Sequence, residues 1–233
     1  MTPADRSEPI RVFFKDLGER YTIERDQDHA AETPTHGDRL VDELVRALLQ
    51  WEASHSQARA AYQRLLSSVI DYTELRICFP ADVAKVLGPR YPRVEERCER
   101  LRCALNDIAA REQSLSLARL GEMNKRDAKQ YVESIEGLPK FVAARVVLFG
   151  LGGHAFPLDD RLLDHLIGAE LFEPDTDVDS AAAKIERALR AGEAADGYDL
   201  LELWSANGGA GKKPRPRTTK KKAPSKQSSS AAS

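Results

Sequence analysis

The 233-residue chain lacks most of the features that mark specialised protein classes. Its three cysteines, Cys78, Cys98 and Cys103, are odd in number and have no disulfide-like spacing, so each reads as a small apolar residue. No apolar run approaches the length that spans a bilayer, and the opening residues, Met1-Thr-Pro-Ala-Asp-Arg-Ser-Glu-Pro9, hold no signal-peptide core. A cytoplasmic protein with no membrane partner is the expectation, nucleoid-associated in a bacterium or nuclear in a eukaryote. The five histidines show no metal-ligand spacing, so no metal site is assigned. No segment alternates with a period of two between turn signals, which argues against a sheet, and no internal repeat is visible.

Acidic residues are also missing from one end. None follows Glu202, whereas Lys212, Lys213, Arg215, Arg217, Lys220, Lys221, Lys222 and Lys226 supply eight positive charges. Without those eight, 27 basic residues face 37 acidic ones, so the body is near −10 although the whole chain is only −2. Residues 209–233 carry no apolar side chain larger than alanine and cannot bury enough surface to offset chain entropy. They read as a disordered basic tail, either solubilising or a nucleic-acid tether. An acidic body opposes phosphate binding, so any such binding needs basic groups gathered on one face or supplied by the tail.

What is present is helical periodicity and enough apolar residue, 42%, for a real core. Leu40, Val41, Leu44, Val45, Leu48 and Leu49 form an i, i+4 stripe behind Asp38 as N-cap. Ala58 to Ile70 forms a second stripe. Pro80 opens a short helix that Gly88 stops, and Pro92 opens another with Val94, Cys98, Leu101, Leu105 and Ile108 inward. Later helices are expected near 125–134, 140–151, 159–167, 180–190 and 198–206. Residues 24–38 are polar, contain Pro34 and Gly37, and read as a loop closing an N-terminal extension, 1–38, ahead of one helical domain, 39–208.

The most informative stretch is Tyr131–Leu166, YVESIEGLPKFVAARVVLFGLGGHAFPLDDRLLDHL. It reads as a helix, a tight turn at Glu136-Gly-Leu-Pro139, an apolar helix ending at Gly152-Gly153, and a loop delivering Asp159 to the next helix. A two-helix hairpin with a glycine turn can present backbone N–H groups and a helix N-terminus to a phosphate. Both features also occur in ordinary bundles, where Asp159 would simply cap its helix.

The stretch resembles the hairpin, loop and aspartate of the endonuclease III-like, helix-hairpin-helix (HhH-GPD) DNA glycosylases. That family's Leu-Pro-Gly-Val-Gly-Arg-Lys-Thr-Ala hairpin falls without gaps on Ile135–Ala143, and its Val-Asp-Thr-His motif on Leu158–Arg161. The resemblance extends less sharply over residues 38 to 208, including Leu48–Arg59 and Gly88-Pro-Arg-Tyr91. It implies an all-α, two-lobed fold with the hairpin and Asp159 facing a cleft between the lobes, acting as a monomer on double-stranded DNA. It implies base-excision repair, in which a nucleotide is flipped from the duplex and its glycosidic bond cleaved. Asp159 would be the catalytic carboxylate, stabilising charge that develops on the sugar. Gly137, Leu138, Lys140 and Arg145 are the implied DNA-binding residues, although a solvated role for either cation is equally open. Glu52 falls where relatives fill the space left by the flipped base, although a solvated helix residue is the favoured reading of it.

Several family parts differ. The lysine nucleophile is replaced by Phe141, so lyase chemistry through a Schiff base is not expected. Lys140, one residue earlier, points about 100° away around the helix. Pro139 replaces the second hairpin glycine and removes one backbone donor. No cysteine follows Cys103, so no iron–sulfur cluster of the family's type is expected, and no other cofactor. The sequence therefore points to a DNA-binding repair protein, a monofunctional DNA glycosylase if active. Its alternatives are a non-catalytic binder on the same scaffold and a helical protein-interaction module.

Overall fold

The computed structural model describes residues 7–23 and 38–210, and among them there are helices and no strand. The predicted loop up to residue 37 and the basic tail from residue 211 lie outside the described residues.

The first predicted stripe is preceded by a helix that the sequence reading does not contain. Helix α1, Glu8–Arg20, buries Ile10, Phe14 and Leu17 at i, i+4 and i+7. It packs on the C-terminal helices, so the segment read as an N-terminal extension contributes a helix to the fold. Helix α2, Arg39–Gln50, is capped by Asp38, whose side chain accepts from the Leu40 and Val41 N–H groups. Then follow α3, His55–Leu66, behind a Ser54/Gln57 capping box, and the short α4, Tyr72–Ile77. Helix α5, Pro80–Leu87, starts on its proline and stops at Gly88 (φ +94°), as the sequence predicts. Helix α6, Val94–Glu112, is followed by a 3-10 turn at Ala118–Glu122 and by α7, Lys125–Glu133.

The predicted apolar helix divides. Helix α8, Lys140–Arg145, passes into a π turn, Val146–Gly150, before the chain turns out at Gly152 and Gly153. A side chain on Gly150 would meet Leu40 at 2.7 Å, so glycine lets this widened turn lie against α2. The chain closes with α9, Asp160–Gly168; α10, Val178–Ala188; and α11, Ala194–Ala206.

Two lobes result. Helices α3, α6 and α8 pack against α2, with α4 and α5 on α6 and α7 on α8; α1 packs with α10 and α11, and α9 packs against those same two helices. One apolar core runs through both, with Phe14, Phe156 and Tyr198 meeting edge-to-face at the junction. Burial of such aromatic pairs adds to their area term, so the lobes hold to each other by packing as well as by polar contacts.

Candidate functional site

Three backbone turns with positive φ come together on the first lobe: Glu52 (φ +58°), Arg93 (φ +49°) and Gly137 (φ +80°). The first two are not glycine, so each stores about 1–3 kcal/mol of strain that the surroundings must offset. The Glu52 turn leaves α2, the Arg93 turn starts α6, and Gly137 makes the hairpin between α7 and α8. A Cβ on Gly137 would lie 3.0 Å from the Cys103 Cβ and 3.3 Å from the Arg100 carbonyl oxygen, so the turn seats directly on α6.

Trp51 joins these turns. The Arg93 and Arg100 guanidinium groups lie 5.0 and 5.3 Å from its ring centroid, a cation–π arrangement. Arg100 also donates to the Gly137 carbonyl at 3.0 Å and pairs with Glu96. Arg90 is exposed on the Gly88–Tyr91 loop, and Tyr91 anchors that loop by donating to the Leu49 carbonyl. Lys140 stands at the start of α8 with its side chain 81% exposed. The N–H groups of Lys140 and Phe141 precede the first intrahelical donor of α8, Val142, which donates to the Pro139 carbonyl. Arg93 and Arg100, both paired with Glu96, are thus gathered beside the hairpin whose second helix starts at Lys140.

Asp159 lies at the junction of the lobes. It is the N-cap of α9, with Oδ1 accepting from the Leu162 N–H at 2.9 Å. Its Oδ2 accepts from the Glu52 N–H at 2.8 Å, and Glu52 Oε1 accepts in return from the Asp160 N–H at 3.1 Å. Arg161 Nε stands 3.9 Å from Asp159 Oδ2 while its other nitrogens bind Glu202 at 2.5 Å and Ser205 at 2.8 Å. Gln50 and Tyr198 both donate to Glu202 at 3.0 Å. Burial, aided by the charges of Glu52 and Glu202, pushes the Asp159 carboxyl up to about 7, against the pull of Arg161 and the Leu162 N–H. Burial raises Glu52 too.

The predicted residues divide accordingly. Gly137 and Lys140 sit on the exposed hairpin, although Lys140 is already held by Asp179 at 2.6 Å. Leu138 is half-buried and packs against the core. Arg145 does not face a phosphate: it is 3% exposed, its Nε is 2.9 Å from Glu43 Oε1, and its guanidinium lies over the Phe149 and Tyr198 rings. In a helix apolar on nearly every side, a cation turns inward and needs an anion; burial pushes Glu43 up despite that partner. Glu52 is not a solvated helix residue; it forms the left-handed turn, and its carboxylate folds back onto α9. Asp159 does not face an open cleft, because its side chain is 0% exposed. Phe141 is buried in the core, 6.3 Å from the Tyr198 ring. His154 reaches the Glu186 carbonyl at 2.8 Å, and no group of three potential metal ligands occurs among the described residues. The three thiols do not fit a four-cysteine cluster: Cys98 is buried in α6, Cys103 abuts the hairpin, and Cys78 follows α4.

Sequence reasoning missed Arg93 and Arg100. Their signal was the proximity of Gly88-Pro-Arg-Tyr91 to the start of an arginine-rich helix, but only the fold shows that this start meets Trp51 and the hairpin.

No protein-family model and no curated protein matches the sequence. Solved structures do match in fold. A non-covalent endonuclease III–DNA complex superposes with a TM-score of 0.62 at 10% identity, over 85% of each chain. A 3-methyladenine DNA glycosylase (MagIII) of H. pylori, bound to 1,N6-ethenoadenine, gives 0.63 at 12% identity, over 85% of this chain and 97% of that one. An 8-oxoguanine glycosylase/lyase of Clostridium acetobutylicum, in complex with double-stranded DNA, gives 0.61 at 13% identity, over 88% and 70%. The all-helical, two-lobed architecture is the one these helix-hairpin-helix glycosylases share.

Proposed function

We propose that this chain binds double-stranded DNA as a base-excision repair protein, meeting the duplex with the row formed by Arg90, Arg93, Arg100, the Gly137 hairpin and Lys140. The observation that carries the reading is the gathering of Arg93 and Arg100 beside two strained turns and a helix start, on a body whose net charge would otherwise repel phosphate. The neighbours solved with DNA support it by fold. The chain acts as a monomer and without an iron–sulfur cluster in this reading.

Chemistry, if the chain performs it, runs through Asp159 alone. Phe141 offers no amine, so release of a base would be hydrolytic and monofunctional, with the Asp159 carboxylate stabilising positive charge on the sugar. A nucleotide can reach that carboxylate only after the Glu52–Asp159–Asp160 contacts part, since its side chain is wholly covered.

That coverage favours a second reading, a duplex binder without chemistry. A base-release assay over a panel of lesion-bearing duplexes separates the two, with anisotropy binding run on the same duplexes. Release that Asp159→Asn abolishes supports the glycosylase; salt-sensitive binding with no release supports the binder. Absence of salt-sensitive duplex binding overturns both.

A further inference from the structure

Arg97 is the largest side chain with essentially no exposure, and neither the hairpin nor Asp159 directly uses it. It lies on α6, one turn past Arg93. A buried guanidinium is normally balanced by a carboxylate in contact. Here its hydrogen-bond partners are backbone carbonyls instead. One terminal nitrogen donates to the Leu48 carbonyl and, at 2.8 Å, to that of Leu49. The other donates to the Trp51 carbonyl and, at 2.9 Å, to that of Pro92; Nε reaches Pro92 at 3.3 Å.

Those four carbonyls are not a random set. Leu48, Leu49 and Trp51 are the C-terminal end of α2, where carbonyls lack helical partners and the helix dipole is negative. They run directly into Glu52 and its left-handed turn. Pro92 precedes Arg93, the second left-handed residue. One planar fork thus ties together the two strained turns, which come from segments more than forty residues apart. The turn it grips on the α2 side aims the Glu52 N–H at Asp159 Oδ2 across the lobe junction. The rings of Trp51 and Tyr91 lie 5.8 and 4.8 Å from the guanidinium and keep water from it.

We propose that Arg97 is a positioning residue for the Asp159 carboxylate: its guanidinium fork locks the Leu48–Glu52 turn, so that the Glu52 amide is held against Asp159. Its functional weight rests on the reading of Asp159 as the site residue, but the positioning does not require DNA. The buried cation also acts on Asp159 through space, in the direction that favours the carboxylate.

The test uses the full chain without DNA. In the wild type, NMR of the Arg97 guanidinium is expected to show separate, slowly exchanging Nη–H signals, the mark of a locked fork. A single averaged signal overturns the proposal. In Arg97→Met, the Asp159 carboxyl followed by carbon chemical shift should titrate at a higher pH than in the wild type, and the Glu52 amide should exchange at least tenfold faster than amides of the distant α10. Arg97→Lys keeps the charge and loses the fork, so it should restore part of the titration and leave the Glu52 amide unprotected. A purely structural role predicts lower melting temperatures with the Asp159 midpoint and the relative Glu52 protection unchanged in both variants, and that result refutes the assignment. If Arg97→Met does not fold, Arg97→Lys and the wild-type spectrum carry the test. Loss of duplex binding, or its absence, leaves these outcomes as they are and bears only on the proposed function.

Discussion

Asp159→Asn should make the protein more stable at pH 8 and no more stable at pH 4. Two opposing effects set the size. The rise of the Asp159 carboxyl from its ordinary 3.8 to about 7 corresponds to about 4 kcal/mol of disfavour for the charged form in the folded state. Asparagine removes that charge. Against it, the two carboxylate oxygens accept from two separate N–H groups, on Leu162 and on Glu52. Asparagine has one acceptor oxygen, so its amide must face one of those donors, at a cost of about 1.5–3 kcal/mol. The difference leaves the variant about 1–2.5 kcal/mol more stable at pH 8. The sign follows from linkage. The folded pKa lies above the unfolded one, so the folded state holds its proton more tightly, and this contribution is complete below about pH 4. It is lost as pH rises through about 7, so wild-type stability falls across that window while the variant's does not. At pH 4 only the lost hydrogen bond remains and the variant is equal or weaker. Urea denaturation of both proteins from pH 4 to 8 reads the swing, about 4 kcal/mol in their difference. A difference that stays constant within about 1 kcal/mol across that range would show that burial does not hold the Asp159 carboxyl up, and the reasoning fails.

Other outcomes follow from the hairpin and the tail. Gly137→Ala, forced to φ +80° with its Cβ against Cys103 and the Arg100 carbonyl, should lose about 1–3 kcal/mol in urea and weaken duplex binding; an unchanged midpoint contradicts the seating of the hairpin on α6. Borohydride should trap no abasic-site adduct on the hairpin, since Phe141 has no amine and the Lys140 amine is held by Asp179 at 2.6 Å; peptide mapping of an adduct to Lys140 contradicts this. Deleting residues 211–233 should weaken duplex affinity and flatten its salt dependence, because eight cations leave. Equal slopes with and without the segment would remove it from the interface.

Much of the fold could be read from apolar spacing, because α2, α5 and α9 each pair a stripe with a cap or a stop: Asp38, Gly88 and Asp159 all act where the chain places them. Helix α1 was missed although Ile10, Phe14 and Leu17 carry the same spacing, since three inward residues among charged ones make a faint stripe. Helix α4, six residues long, shows barely more than one turn of pattern. The site was harder because its contacts are long-range. Asp159 reads locally as a cap, which it is; that it also receives the Glu52 amide, 107 residues away, nothing nearby shows. Arg145 illustrates the opposite failure. Its setting, Phe141-Val-Ala-Ala-Arg-Val-Val-Leu-Phe149, is apolar on both sides, and that run should have marked it as buried rather than as a phosphate contact.

The central claim is that duplex DNA meets the Arg93–Arg100–hairpin–Lys140 face, and the salt dependence of binding tests it most directly. Affinity for one duplex should be measured by anisotropy from low to moderate salt for three full-length proteins. These are the wild type, an Arg93→Ala/Arg100→Ala/Lys140→Ala variant, and a control losing the three cations Lys15, Arg187 and Arg190 beside α1 and α10. Each phosphate contact contributes about 0.9 to the slope of log affinity against log salt. The account predicts a slope shallower by about 2.7 for the first variant if all three cations meet phosphates, and a control slope like the wild type's. Equal slopes for the two variants, or no salt-dependent binding by the wild type, would contradict it.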